Sequence, residues 1–151
     1  MNRLSPADVA CWLLKSDRPL GAIVPGWAPG ETRRLTRCLR PSYRLQLMRP
    51  GRPCLLWVSG RTAPGVHAIG VLAGEVTGGN GGPEIAVDLT PLAEPLPRAE
   101  LLADPVAAGA EVLRMPAGSN PSWLSADQFA VVRARVALPP AARDRLGPWL
   151  P

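Results

Sequence analysis

The chain contains one lysine, one histidine, one tyrosine and one phenylalanine. A lone histidine, His67, leaves no histidine cluster for a metal, and it reads as a strand residue rather than a catalytic base. The three cysteines, Cys11, Cys38 and Cys54, are odd in number, far apart and without a C-x-x-C. Neither a disulfide framework nor a zinc site is expected from them; buried free thiols in a reducing cytoplasm are. No apolar stretch approaches ~18 residues, so no membrane-spanning helix and no membrane partner are expected. The start, MNRLSPADVA, lacks the charged and apolar regions of a secretory signal.

Catalytic patterns are missing as well. There is no G-x-S-x-G, no H-E-x-x-H, no phosphate-binding loop and no dinucleotide fingerprint. The carboxylates are scattered. The reading is of a protein that is not an enzyme, with no catalytic residues, metal or cofactor.

What is present begins with punctuation. Glycine and proline supply 34 of 151 residues, arguing for short strands and turns in place of long helices. Residues 9–15 (VACWLLK) read as a strand, with Ala10, Trp12 and Leu14 on one face and Cys11, Leu13 and Lys15 on the other. A Pro/Gly-rich loop with Trp27 follows at 17–31. Residues 32–39 read as a short strand, and 42–48 as a helical turn capped by Ser42. CLLWVSG (54–60) reads as a buried strand with VHAIGVLAGEV (66–76) as its antiparallel partner. TGGNGGP (77–83) is expected to be a flexible turn. In 84–92, Ile85, Val87 and Leu89 should face inward. Short helices broken at Asp104-Pro105 are expected over 97–110, and a last short strand over 111–116. Ser125 and Gln128 have capping-box spacing, with Leu124 and Phe129 placed as a hydrophobic staple, so a helix should run from Ser125 to about Arg135. The pattern predicts one α+β domain spanning 1–151, a partly closed mixed β-barrel of five to six strands with short peripheral helices. Its core should lie at about 9–136, with 137–151 as a loosely held Pro-rich tail.

Charge is concentrated. Residues 32–74 hold eight arginines and no carboxylate, whereas the rest of the chain holds nine basic and twelve acidic residues. Such a block attracts polyanions, nucleic acid above all. Arg33, Arg34, Arg37, Arg40 and Arg44 are the candidate phosphate contacts. The aromatics are skewed toward tryptophan, five in all. Trp12 and Trp57 end strands, and Trp27, Tyr43 and Trp123 lie in or beside loops. Aromatics so placed suit a cage for a flat ligand such as a base, though Trp12 and Trp57 equally suit a core.

Three segments in order, CWLLKS, LMRPGRPCLLWVSG with PGVHAIGVLAGEV, and LRMPAGSNPSWLSADQF, resemble the EVE domain, a PUA-like fold related to YTH domains. The resemblance spans roughly residues 10–134. It implies a PUA-like barrel that takes a flipped, modified base into a pocket, in bacterial relatives methylated or hydroxymethylated cytosine in DNA. By position, Lys15 and Ser16 match the lysine-serine pair at the base pocket. Trp57 and Ser59 match the pocket end of the central strand, and Asn120 and Pro121 the loop before the last helix. The family's W-x-x-R-N-Y-Q-A-R-N segment has no equivalent; RRLTRCLRPSYR stands instead. Tyr43, Trp27 and Trp123 are the candidates for the second aromatic wall. The function expected is non-enzymatic recognition of a modified base, in DNA before RNA, with a separate nuclease as a possible partner. The alternatives are a protein binding or processing nucleosides or nucleotides on a PUA/ASCH-like barrel, and a plain interaction domain.

Overall fold

The structure, a computed structural model, describes residues 3–150. Its centre follows from two segments that are apolar at both odd and even positions. CWLLKS forms β1 (Cys11–Ser16) and PCLLWV forms β3 (Pro53–Val58). They pair in parallel, Trp12 opposite Cys54 and Lys15 opposite Trp57. Strands buried on both faces read as continuous hydrophobic runs, and parallel pairs take that form. Alternate side chains therefore enter two cores. Cys11, Leu13, Leu55 and Trp57 pack beneath the helices. Trp12, Leu14, Cys54 and Leu56 pack on the opposite face. Burial raises the Cys11 and Cys54 thiol pKa values, which keeps both protonated; Cys38, expected to be buried with them, is exposed at the end of an outer strand.

β4 (Gly65–Leu72) lies antiparallel to β3 on one side and to the long β6 (Gly82–Pro97) on the other. β5 (Thr77–Gly79) and β6 form a tight hairpin at the segment expected to be a flexible turn. β2 (Arg33–Cys38) pairs only with β6, and β7 (Ser122–Leu124) only with β1. The order is β2-β6-β4-β3-β1-β7, with β5 beside β6. The α+β class with short peripheral helices is the one expected. The sheet, however, stays open: β2 and β7 stand at its two ends and do not pair. Ile85, Val87 and Leu89 face inward as the alternation predicts, each at most 1% exposed. β6 runs on past its prolines because a register shift opposite Val66–Ala68 accommodates them. Gly70 sits where β4 and β6 approach most closely; a Cβ there would overlap the Asp88 carbonyl.

Short helices α2 (Arg98–Leu102), α3 (Glu111–Arg114), α4 (Ala126–Arg135) and α5 (Pro140–Leu146) cover one face, while the single turn α1 (Leu20–Ile23) packs Leu20 and Ile23 on the opposite core. α3 replaces the strand expected at 111–116, and the last strand is instead β7. Four apolar-rich residues before a Pro-Ala-Gly turn satisfy either pattern, so tertiary pairing decided. The break at Asp104 is a cap, its carboxylate accepting from the amides of Val106 and Ala107 at 2.9 and 3.0 Å. α4 begins with the complete capping box at Ser125 and Gln128. The tail is not loosely held. Ala142 and Leu146 of α5 are fully buried in the helix-side core, and the Trp149 indole donates to the Gly51 carbonyl at 2.9 Å. Among the described residues no helix is long and apolar enough to cross a membrane.

Two substitutions separate local from tertiary control. Ser125→Ala should cost ~1 kcal/mol in denaturant unfolding, the usual loss for an N-cap. Gly70→Ala should cost about 3 kcal/mol or more, since backbone must shift to admit the methyl group. Equal costs would remove the close approach of β4 and β6 as a determinant of the fold.

Candidate nucleic-acid interface

Because the sheet does not close, the carboxyl ends of β1 and β2 face each other across a gap. The gap is a cleft of about 450 Å³, walled by the end of β1, the end of β2, Ser59 and the loop 116–120. Lys15, Ser16, Ser59, Asn120, Arg37 and Arg40, all singled out in the sequence, meet there. So do Asp17, Thr36, Cys38 and the loop residues Pro116, Ala117 and Gly118, which no sequence pattern marks as site residues. Asp17 directly follows the Lys15-Ser16 pair, which was its one available signal. Pro116 ends the segment 111–116, whose pattern predicts a strand and which instead forms α3 and the start of the loop.

Asn120 ties the walls together. Its Oδ1 accepts from the Lys15 amide at 3.2 Å, and its Nδ2 donates to the Cys38 carbonyl at 3.3 Å. Its own carbonyl accepts from the Arg40 amide at 2.9 Å. The Asn120–Pro121 peptide is cis. The Lys15 ammonium donates to the carbonyls of Pro116 and Gly118, at 3.2 and 3.1 Å, and so pins the loop. Burial lowers its pKa, with Arg40 and Arg44 pushing the same way and Glu111 opposing. The Ser16 hydroxyl is committed to Arg18, donating to its carbonyl at 2.9 Å and accepting from its amide at 3.0 Å.

Below the cleft lies an ion pair. The Arg44 guanidinium meets the Glu111 carboxylate through two bonds of 2.8 and 2.6 Å. Arg44 also donates to the Pro121 carbonyl at 3.0 Å, and Ser122 donates to Glu111 at 2.8 Å. Both side chains are nearly buried, at 12% and 13% exposure. Arg44 is thus a structural clamp and not one of the expected phosphate contacts.

The other expected residues lie elsewhere. Arg34 is held by Asp88 at 2.9 Å and Arg33 by Glu31 at 3.3 Å, so both are neutralised on the outer strand. Trp12 is buried in the core on the face away from the helices, its indole N–H without a partner. Trp27 is buried in the same core and donates to the Glu31 carbonyl at 2.7 Å. Trp57 is 4% exposed and belongs to the helix-side core, reaching only a neighbouring groove. Tyr43 accepts from the Leu4 amide at 2.8 Å and lies under Arg3. Pro121 is buried, and Trp123 packs half-buried on the same core as Trp12. No aromatic side chain lines the cleft. The expected cage is absent there because the tryptophans supply core volume.

No protein-family profile and no curated protein sequence matches the chain. Solved structures match it in shape, and they define its class as a PUA-like fold. A protein from Pseudomonas putida superposes with a TM-score of 0.62 at 16% identity, over 83% of this chain and 98% of that one. A hypothetical protein from Leishmania major gives 0.59 at 17% identity, over 86% and 96%. Human THYN1, solved in complex with DNA containing 5-methylcytosine, gives 0.53 at 16% identity, over 82% and 95%. At these identities the likeness is one of fold.

The ion pair sets an acid-side test. Glu111 has its pKa lowered from the ordinary 4.5, first by the Arg44 hydrogen bonds and then by Ser122, against the opposing effect of burial. The stability it contributes is therefore complete above that ordinary value and is lost as pH falls through the depressed folded value. Glu111→Gln should cost about 3 kcal/mol near pH 7, because it leaves Arg44 buried without its carboxylate. It should also flatten the fall of Tm as the pH is lowered below about 5. An unchanged acid slope would show that the pair does not govern it.

Proposed function

We propose that the chain binds nucleic acid through the cleft without chemical turnover, as a reader of a modified base. The observation that carries the reading is Arg37. Its guanidinium is half-buried at the cleft wall and takes part in none of the four ion pairs among the described residues. Burial lowers its pKa and Arg18 adds to the effect, with Cys38 and the Asp17 carboxylate opposing. A partly desolvated cation with no carboxylate in contact is costly, and an anion entering the cleft relieves that cost. Arg40 stands beside it, also in no ion pair. Lys15 has given two of its three N–H donors to the loop, which leaves one for a ligand.

The cleft volume falls within the ~300–1,000 Å³ range of small-ligand sites, so it accommodates an extruded base as well as a phosphate. Asp17 is its one carboxylate. A carboxylate in a cationic site suits an exocyclic amine, and cytosine N4 is such a donor. The hydroxyls of Thr36 and Ser59 supply further donors and acceptors for a base edge. With no tryptophan in the cleft, the Arg37 guanidinium plane is the surface on which a base can stack. The likeness in fold to a protein solved with 5-methylcytosine DNA supports DNA as the polymer and a modified cytosine as the base.

The test is binding of matched oligonucleotides carrying cytosine, 5-methylcytosine, 5-hydroxymethylcytosine or N6-methyladenine, in DNA and RNA, at fixed salt. One modified DNA should bind tightest. Replacing Arg37 and Arg40 together with Gln should weaken binding to all oligonucleotides and lower the slope of log K against log salt by up to about two. Asp17→Asn should mainly reduce the discrimination between bases. Turnover of a free nucleotide, or an unchanged salt slope in the double variant, would overturn the reading.

A further inference from the structure

We propose that the bound strand continues from the cleft into an adjoining groove, where Arg98 holds the phosphate of the neighbouring nucleotide. This rests on the reading of the cleft as a nucleic-acid site. The groove has a volume of about 210 Å³, and Ser59 and Pro116 wall both it and the cleft, so the two depressions lie side by side. Trp57, Pro64 and Val112 give the groove apolar sides, and no carboxylate lines it. Such walls suit the face of a sugar or base, and a single cation suits the phosphate attached to it.

Arg98 is placed firmly. It opens α2 directly after β6, and its amide donates to the carbonyl of Pro64, another residue of the groove wall, at 2.8 Å. Its side chain is in none of the four ion pairs among the described residues. Glu100, two residues on, lines a different groove together with Glu94, so it does not neutralise this one. A guanidinium fork matches phosphate oxygens in two parallel bonds. With Arg98, the cations Lys15, Arg37 and Arg40 become one end of a longer path. The sequence hides Arg98, because it lies far outside the acid-free block and between prolines and a glutamate.

The test uses a modified single-stranded DNA of about twelve nucleotides, long enough to fill both depressions. Arg98→Gln should lower the salt slope of binding by about one, Arg98→Lys should restore it, and Tm should be unchanged. In the unaltered protein, the amide resonances of Gly60 and Val112 should shift on adding the DNA. If Arg98→Gln leaves the slope intact and those resonances stay put while Arg37→Gln still lowers the slope, the strand does not enter the groove and the cleft reading stands alone. If neither variant changes the slope of a protein that binds DNA, the cleft reading fails and the groove with it.

Discussion

The ion pair between Arg44 and Glu111 holds the two ends of an open sheet in place. Arg44 follows β2, the strand at one end of the sheet. Glu111 opens α3, ahead of β7 at the other end. In a closed barrel, backbone hydrogen bonds between the end strands would make this connection. Here a bidentate pair makes it together with the bonds of Asn120 to Cys38 and Arg40, and the Pro121 carbonyl and the Ser122 hydroxyl take up remaining hydrogen-bonding capacity. A buried pair is seldom more stabilising than the apolar groups that could replace it. Its effect is one of registration: it sets which loop meets which strand end, and so the width of the gap between them.

That gap is the cleft, and its geometry accounts for the only lysine. The carbonyls of Pro116 and Gly118 converge on one nitrogen, 3.2 and 3.1 Å away. An ammonium offers several N–H bonds from a single atom, whereas a guanidinium spreads its donors across a plane. In a chain that otherwise uses arginine for every positive side chain, this is the position where the compact cation fits. Asn120 completes the arrangement by bonding to β1 and β2 at once. The loop that walls the cleft is therefore fixed from both sides before any ligand arrives, which reduces the ordering cost of binding.

Features controlled by local chemistry were legible in the sequence. The capping box at Ser125, the Ser42 cap, the alternation of Ile85, Val87 and Leu89, and the pairing of β3 with β4 all follow from neighbours within a few residues. The placement of Lys15, Ser16, Ser59 and Asn120 at one site was legible through the order of three short segments. The tryptophans misled. Ring position relative to a strand end does not say which face of the strand is covered, and helices on one side with a curled sheet on the other cover both. Trp12 and Trp57, on opposite faces of adjacent strands, are accordingly both interior. The tail misled for a related reason: its prolines suggested a loose segment, yet one of them opens α5 as a first helical residue, where a missing N–H costs nothing.

Charge shows most clearly what a sequence conceals. The run from 32 to 74 has no carboxylate of its own, but folding delivers carboxylates to it. Glu31 reaches Arg33, Asp88 reaches Arg34 across the β2–β6 ladder, and Glu111 reaches Arg44 from nearly seventy residues away. Arg52 is engaged differently, donating to the Val9 carbonyl and lying over the Trp149 ring. These contacts divide the block by role. Arginines paired within the protein hold strands and ends together, and their charge is largely cancelled at short range. Arg37, Arg40, Arg49 and Arg61 enter none of the four ion pairs among the described residues, and of these Arg37 and Arg40 stand in the cleft with Lys15. An acid-free run is thus a reservoir from which the fold draws its ion pairs, and its charge after folding is more local than the run itself: the cations left unpaired and gathered at one place are those of the cleft.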